Sequence, residues 1–414
     1  MVYRLCSISG GGVRGIIPAT IVKEMLEMSK VYNKTGNIQD LCDYVVGTSV
    51  GGILGAGLVV SKDGNSPVFT PDQVLDLLKD NAAKIFPKDA NSFQHKVIAI
   101  SAFVGASIAT FFAPSVMVGI VGAFGIQWTT TLVGFKMLAI AGGVGSVFSA
   151  IAYKFSDRLD GWFSPKYSRD GIDQLLQQYF ANFTLTDTVV PFTTVSYSLE
   201  EKNPRVWSTF KAKKVKTDNF FLKDALGATS AAPTFFPHKI TLVDDGQRVY
   251  HDVDGGIFSN SPVNLAIAVL KKHADAQVLQ KIEKEGMMVL SIGTGYHNPS
   301  SIFVPPSSLM EGILGYGILD PLVLKVMDAT ERDSIIQARH ALPTIRIDPK
   351  LDASLMPMDQ SDDNHIKTLS KASDNFVIEH HKILSQYTNC MISNEECKEL
   401  ITESTPDYSY DLIN

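Results

Sequence analysis

The first sixty positions alternate short apolar runs with glycine-rich or polar breaks, and the periods of those runs predict strand, loop, helix, strand, turn and helix. Residues 4–9 read as the first strand, 10–15 as a glycine loop, 16–28 as a helix and 44–46 as a second strand. The run Gly51-Gly52-Ile53-Leu54-Gly55-Ala56-Gly57-Leu58 follows as a helix of small residues. A right-handed crossover makes the two strands parallel, so their carboxyl ends share one edge of a sheet. The loop Gly10-Gly11-Gly12-Val13-Arg14-Gly15 and the turn Gly47-Thr48-Ser49-Val50-Gly51 are therefore expected to face one crevice, where open α/β sheets place their sites.

Further strands are predicted over 189–197, 239–243 and 287–292, and helices over 171–180, 263–272 and 320–341. Beyond about residue 300 the pattern is mixed, with Pro305-Pro306 as a breaker and helical stretches reaching Leu400. Together these predict an α/β fold over 1–300, with a mostly parallel central sheet, and a mostly helical C-terminal region over 301–414. No internal repeat or low-complexity tract is present.

Residues 97–153 break the pattern. Lys136 is the only charged residue among them, and the polar stretch Gln127-Trp128-Thr129-Thr130-Thr131 divides them into two apolar halves. Each half reaches the roughly 20 residues that a bilayer span needs. The expectation is an apolar helical insertion in the α/β domain that forms a membrane hairpin; the rivals are a hairpin dipping into one leaflet and a hydrophobic cap over the crevice. Lys84, Lys88 and Lys96 precede it and Lys154, Arg158, Lys166 and Arg169 follow, which by the positive-inside bias keeps the rest of the chain on the cytoplasmic side.

Composition narrows the classes. The 414 residues carry a net charge of -6 with no long basic run, which argues against nucleic acid as a partner. Cys6, Cys42, Cys390 and Cys397 have no metal-ligand spacing with nearby histidines and are too few to staple a chain of this size, so they read as reduced thiols, mostly buried. Met1 leads straight into the first strand, so a Sec-type signal peptide is not expected. A secretion route using another signal would leave no trace here.

The candidate chemistry centres on Ser49. A strand, a sharp turn flanked by Gly47, Thr48, Val50 and Gly51, and a helix form a nucleophile elbow, in which small neighbours let strand and helix approach while the serine is presented outward. An ordinary glycine-rich turn has the same five-residue string. Gly10-x-Gly12-x-x-Gly15 also matches the dinucleotide fingerprint, but that site needs an acidic residue after the second strand, and Gly47-Thr48-Ser49 stands there instead. The loop then reads as an oxyanion hole built from the N–H groups of Gly10 to Gly15, with Arg14 adding positive potential at the mouth, or as a plain tight turn. None of the nine histidines sits in a recognisable acid–base setting. Asp254, followed by Gly255 and Gly256, is the better base, since two glycines let a carboxylate come tightly against another loop. Its rivals are Asp252 and Asp244-Asp245-Gly246, the latter more like a hairpin turn.

Gly-Gly-Gly-Val-Arg-Gly at 10–15, Gly-Thr-Ser-Val-Gly at 47–51 and Asp-Gly-Gly at 254–256 resemble, in order, the signature motifs of the patatin-like phospholipases. Ala228-Thr229-Ser230-Ala231-Ala232-Pro233, Asn260-Ser261-Pro262 and Leu290-Ser291-Ile292-Gly293-Thr294-Gly295 are similar as well, and the likeness covers about 4–295 apart from the apolar insertion. The resemblance implies a three-layer α/β/α fold and a Ser-Asp dyad, Ser49 as nucleophile and Asp254 as base, with no metal or organic cofactor. It implies hydrolysis of acyl esters of membrane phospholipids and related lipids, phospholipase A or lysophospholipase in type. A transacylase using the same dyad, and a membrane-embedded interaction protein on a patatin scaffold, are the alternatives. In bacterial relatives that act inside host cells, a C-terminal region like this one can receive an activating host protein.

Overall fold

The computed structural model describes residues 2–87, 165–243, 246–297 and 319–393. Residues 1–87, 167–303 and 321–414 form one compact unit, to which almost all described residues belong; the other unit, 88–166 with 304–320, lies almost wholly outside them. The predicted apolar insertion at 97–153 falls in that second unit and is outside the described residues. Among the described residues no helix is long and apolar enough to cross a membrane.

The strands are β1 Tyr3–Ile8, β2 Tyr44–Gly47, β3 Phe192–Ser198, β4 Asn203–Ser208, β5 Lys239–Val243, β6 Arg248–Asp254, β7 Met287–Ile292 and β8 Thr344–Ile347. They make one sheet in the order β5-β6-β3-β2-β1-β7-β8, with β4 also paired to β3. The pairs β1–β2, β1–β7, β2–β3 and β7–β8 are parallel, whereas β3–β4, β3–β6 and β5–β6 are antiparallel. Every residue of β1, β2, β7 and β8 is buried, as expected of parallel strands covered on both faces.

The longer helices are α1 Ile16–Ser29, α2 Val50–Val59, α3 Pro71–Ile85, α4 Asp170–Phe180, α5 Leu222–Thr229, α6 Val263–His273, α7 Ala276–Glu285, α8 Leu319–Ala341, α9 Asp363–Glu379 and α10 His381–Ser393. Side chains alternate across a strand. Thus Tyr3, Leu5, Tyr44, Val46, Met287 and Val289 point to one face, where Val263, Ala266, Val269 and Leu270 of α6 and Ile335 and Ala338 of α8 close a core over them. On the other side α2 packs against β1, β2 and β3, and α1 packs against α3, α9 and α10. The result is helices, sheet and helices in three layers.

The pairings of β3 decide where the site can form. β4 runs along β3 from Thr193 to Ser198, β2 pairs with Phe192 to Thr194, and β6 pairs with Ser196 to Ser198. A strand has two edges, and β4 overlaps both other partners, so β2 and β6 lie end to end on the opposite edge. β2 runs parallel to β3 and finishes at Gly47 beside Thr194; β6 runs antiparallel and finishes at Asp254 beside Ser196. Their carboxyl ends point at each other.

Several elements differ from the sequence expectation. β4 and β6 are rich in polar residues, and Pro204 in β4 is tolerated because β3 is its only partner strand among the described residues. β8 is four residues long and carries a buried arginine, so its alternation is too brief to register. The region after residue 318 is mainly helical but also extends the sheet through β8. Of the rival Asp244-Asp245-Gly246 stretch, 244 and 245 lie outside the described residues; Gly246, at φ 88°, donates its N–H to Val243 O at 3.1 Å.

The cysteine reading needs correction. Cys6 of β1 and Cys42, just before β2, are joined in a disulfide with Cα atoms 5.8 Å apart, and Cys390 is disulfide-bonded too. All three are buried, and among the described residues none is a free thiol. The parallel pairing of β1 and β2 brings together two positions 36 apart in sequence. No local spacing motif records such an approach.

Candidate active site

Ser49 is the second residue beyond the Gly47 end of β2 and caps the N-terminus of α2, with φ 57° and ψ −130°. A non-glycine residue in that region is strained by roughly 1–3 kcal/mol and is held there by its surroundings. Those surroundings are tight. A Cβ on Gly47 would lie 2.2 Å from Gly51 O, and one on Gly51 would lie 2.3 Å from Ile8 O. Only glycine allows α2 to begin this close to β1 and β2. The Ser49 N–H donates to Thr229 Oγ1 at 3.0 Å, and Thr229 Oγ1 in turn donates to Val195 O. Thr48 Oγ1 donates to Ser259 O at 2.8 Å, fixing the other side of the turn. Glycine at position 49 relieves the strain while alanine keeps it. Ser49→Gly is expected to unfold at higher denaturant than Ser49→Ala, by roughly 1–2 kcal/mol, and equal midpoints in chemical denaturation would show the backbone to be unstrained.

Asp254, at the end of β6, is fully buried. Its Oδ1 accepts the Gly256 N–H at 2.7 Å, while Oδ2 has no complete hydrogen bond. Burial pushes its pKa up to about 7, and the Ser49 side chain and the Gly256 N–H hold it from rising further. The Ser49 hydroxyl is thus the side chain acting on a carboxylate poised near neutrality, and catalytic contacts of this kind are often long before substrate binds. Gly255 permits the approach, since a Cβ there would lie 2.3 Å from Val195 O. Asp252 is engaged elsewhere: its Oδ1 accepts from Ser196 Oγ at 3.1 Å and from Arg205 Nε at 3.0 Å.

The glycine loop does face Ser49, for a Cβ on Gly10 would stand 3.0 Å from Ser49 Cβ. Its donors are unequal. Gly10 N–H donates to Asn260 O, Val13 N–H to Met358 O and Arg14 N–H to Gly11 O. Gly15 N–H is taken up inside the 3₁₀ turn Gly12–Gly15, while Gly11 and Gly12 N–H have no partner among the described residues, so the oxyanion-hole reading narrows from six residues to these two. Arg14 also differs from its expected role at the mouth. Its side chain is buried, with Nη1 donating to Gly295 O at 3.0 Å, so it ties the loop to the segment after β7.

In front of Ser49 lies a cleft enclosing about 660 Å³, open mouth included. Val50, Ile53, Leu78, Phe86, Leu175 and Phe236 make its walls apolar, and Gly12 reaches its rim. Its size and lining suit an organic ligand with a long apolar part. Among the described residues no group of His, Cys, Asp and Glu is arranged to hold a metal ion.

A family model described as patatin-like phospholipase matches residues 6–267, more than half of the chain. The chain belongs to that family. Curated relatives include patatin-like protein 2 of Oryza sativa subsp. indica, 28% identical over 305 residues that cover 70% of this chain and 60% of the relative. Patatin-like protein 2 of Arabidopsis thaliana is 24% identical over 325 residues, covering 76% and 64%. The chain thus spans somewhat under two thirds of the length of these relatives. A crystal structure of VipD from Legionella pneumophila aligns with 90% of this chain and 67% of that one at 11% identity, with a TM-score of 0.33, too low to carry an argument.

Within this patatin-like frame, the structure adds residues that motif reading did not assign. Thr229 and Asn260 lie in stretches already similar to the family, but neither has a role legible from its neighbours in sequence. Glu331, Arg346 and Asp348 lie beyond the matched residues altogether. They converge behind the glycine loop, and no spacing rule joins positions more than 300 residues from it.

Proposed function

We propose that the chain is a serine lipid acyl hydrolase of phospholipase A type. The observation that carries this is the buried Asp254 carboxylate beside Ser49, whose hydroxyl opens into an apolar cleft. Asp254 takes the Ser49 hydroxyl proton as Oγ attacks the ester carbonyl, and the oxyanion is received by Gly11 and Gly12 N–H. Collapse expels the alcohol, a lysolipid, which leaves with the proton from Asp254. Water then attacks the acyl-enzyme, giving its proton to Asp254; the fatty acid departs and Ser49 is reprotonated. The chemistry uses no cofactor. The apolar wall beside the serine favours a long acyl chain, and membrane phospholipid is the substrate source we propose.

Attachment to a membrane through 97–153, with the catalytic domain on the cytoplasmic side, is the placement that follows from that segment's composition. The flanking positive charges favour that side, whereas the Cys6–Cys42 bridge favours an oxidising compartment, so trapping the redox state of these two cysteines in intact cells decides between the two sides. An activating protein at the C-terminal region remains part of the proposal by family analogy alone.

The test is release of labelled fatty acid from phospholipid vesicles by wild type and Ser49→Ala. Release is expected from wild type alone, and equal release from both would remove Ser49 as nucleophile. Because the base works only ionised, kcat/KM is expected to rise with pH through about 7 and then level off. A flat profile from about pH 5.5 to 8.5 would exclude Asp254 as the base.

A further inference from the structure

Both ends of the glycine loop are fastened to one buried arginine. Gly10 O accepts Thr294 Oγ1 at 3.0 Å and Asn260 Nδ2 at 3.3 Å. Asn260 Nδ2 also donates to Glu331 Oε2 at 2.6 Å, and Glu331 Oε1 accepts from Arg346 Nη2. The same Nη2 donates to Asp348 Oδ2 at 2.7 Å; Asp348 Oδ1 accepts the Gly295 N–H at 2.8 Å; Gly295 O accepts Arg14 Nη1. The path begins at Gly10, passes through Arg346 and returns to the loop at Arg14. Arg346 Nη1 meanwhile donates to the hydroxyls of Ser9 and Ser291 at the ends of β1 and β7.

The planarity of the peptide unit gives this path a consequence for chemistry. Gly10 C=O and Gly11 N–H belong to one trans peptide and point in opposite directions. Whatever fixes the carbonyl aims the N–H. A run of three glycines has little conformational preference of its own, and an oxyanion donor that must reorganise during the reaction loses most of its value.

We propose that the chain Asn260–Glu331–Arg346–Asp348–Arg14, with Thr294, is a positioning clamp that aims Gly11 N–H at the developing oxyanion. The segment from α8 to Asp348, outside the family match, is then part of the working site. This rests on the hydrolase reading above.

Thr294→Val keeps the side-chain shape but deletes the hydroxyl on Gly10 O; Thr294→Ser retains it; Glu331→Gln keeps the shape and removes the charge between Asn260 and Arg346. With a soluble acyl ester, Thr294→Val and Glu331→Gln are expected to lower kcat by about 10- to 100-fold with KM within about twofold, and Thr294→Ser to stay near wild type. Unchanged kcat in the first two, or an equal loss in Thr294→Ser, overturns the clamp. Hydrogen exchange provides a readout independent of activity. Peptides covering 9–15 are expected to exchange faster in Thr294→Val and Glu331→Gln, while β7 exchanges as in wild type. Unchanged exchange at 9–15, or acceleration throughout the sheet, overturns the proposal. A wild type without esterase activity would defeat the hydrolase reading, and exchange alone would then decide the clamp.

Discussion

Asp254→Asn is expected to lower acyl hydrolysis by about 10²–10⁴-fold and, at pH 8, to make the protein more stable. Both effects come from one cause. The carboxyl is fully buried, with a pKa of about 7 in the folded chain against 3.8 ordinarily. A carboxyl with a raised folded pKa favours the folded state most when it is protonated. That contribution is complete below about pH 4, is lost as pH rises through about 7, and above that leaves a buried charge costing roughly 4 kcal/mol. Asparagine has nothing to ionise. It can still accept the Gly256 N–H through Oδ1, so the turn keeps its bond. Thermal melts of the two proteins should therefore coincide near pH 4 and separate at pH 8 with the variant higher. A variant that melts lower at pH 8 would show that the aspartate holds the site together instead of being held in it.

Arg346→Ala is expected to destabilise the chain by about 3–5 kcal/mol at pH 7.5, enough to unfold a marginal domain. The guanidinium is buried, and its two Nη atoms serve Ser9, Ser291, Glu331 and Asp348. Removing it strands two carboxylates, with Asp328 nearby already raised in pKa by burial. Arg346→Met keeps much of the side-chain volume without the charge and is expected to lose about as much. Urea unfolding of the two variants measures it. An Arg346→Met variant close to wild type would mean that the arginine acts through packing, not charge.

Much of the fold was legible along the chain because it is written in local patterns. The predicted strands at 239–243 and 287–292 coincide with β5 and β7, and the helix predicted at 16–28 with α1 to within one residue. Apart from Arg4, the runs of β1 and β2 are apolar or small, and such runs belong to parallel strands buried on both faces. β4, β6 and β8 escaped notice because pairing, not composition, makes them strands. Asp252 and Asp254 would be poor strand residues anywhere that β3 did not receive them.

The sequence by itself determined that the Gly10–Gly15 loop and the Ser49 turn share an edge. A helix between two adjacent strands carries the chain back across the sheet, so the strands run parallel and their carboxyl ends meet at that edge. Which donors of the loop remain free, which aspartate meets the serine and what braces the loop from behind were decided only by tertiary structure. β6 enters along the edge of β3 that β2 leaves vacant, from the opposite direction, and it thereby delivers Asp254 from some 200 positions downstream. Arg346 arrives later still, on a strand of four residues. Such meetings depend on the register and order of strands far apart in sequence, and a reading of periods and motifs along one chain contains neither.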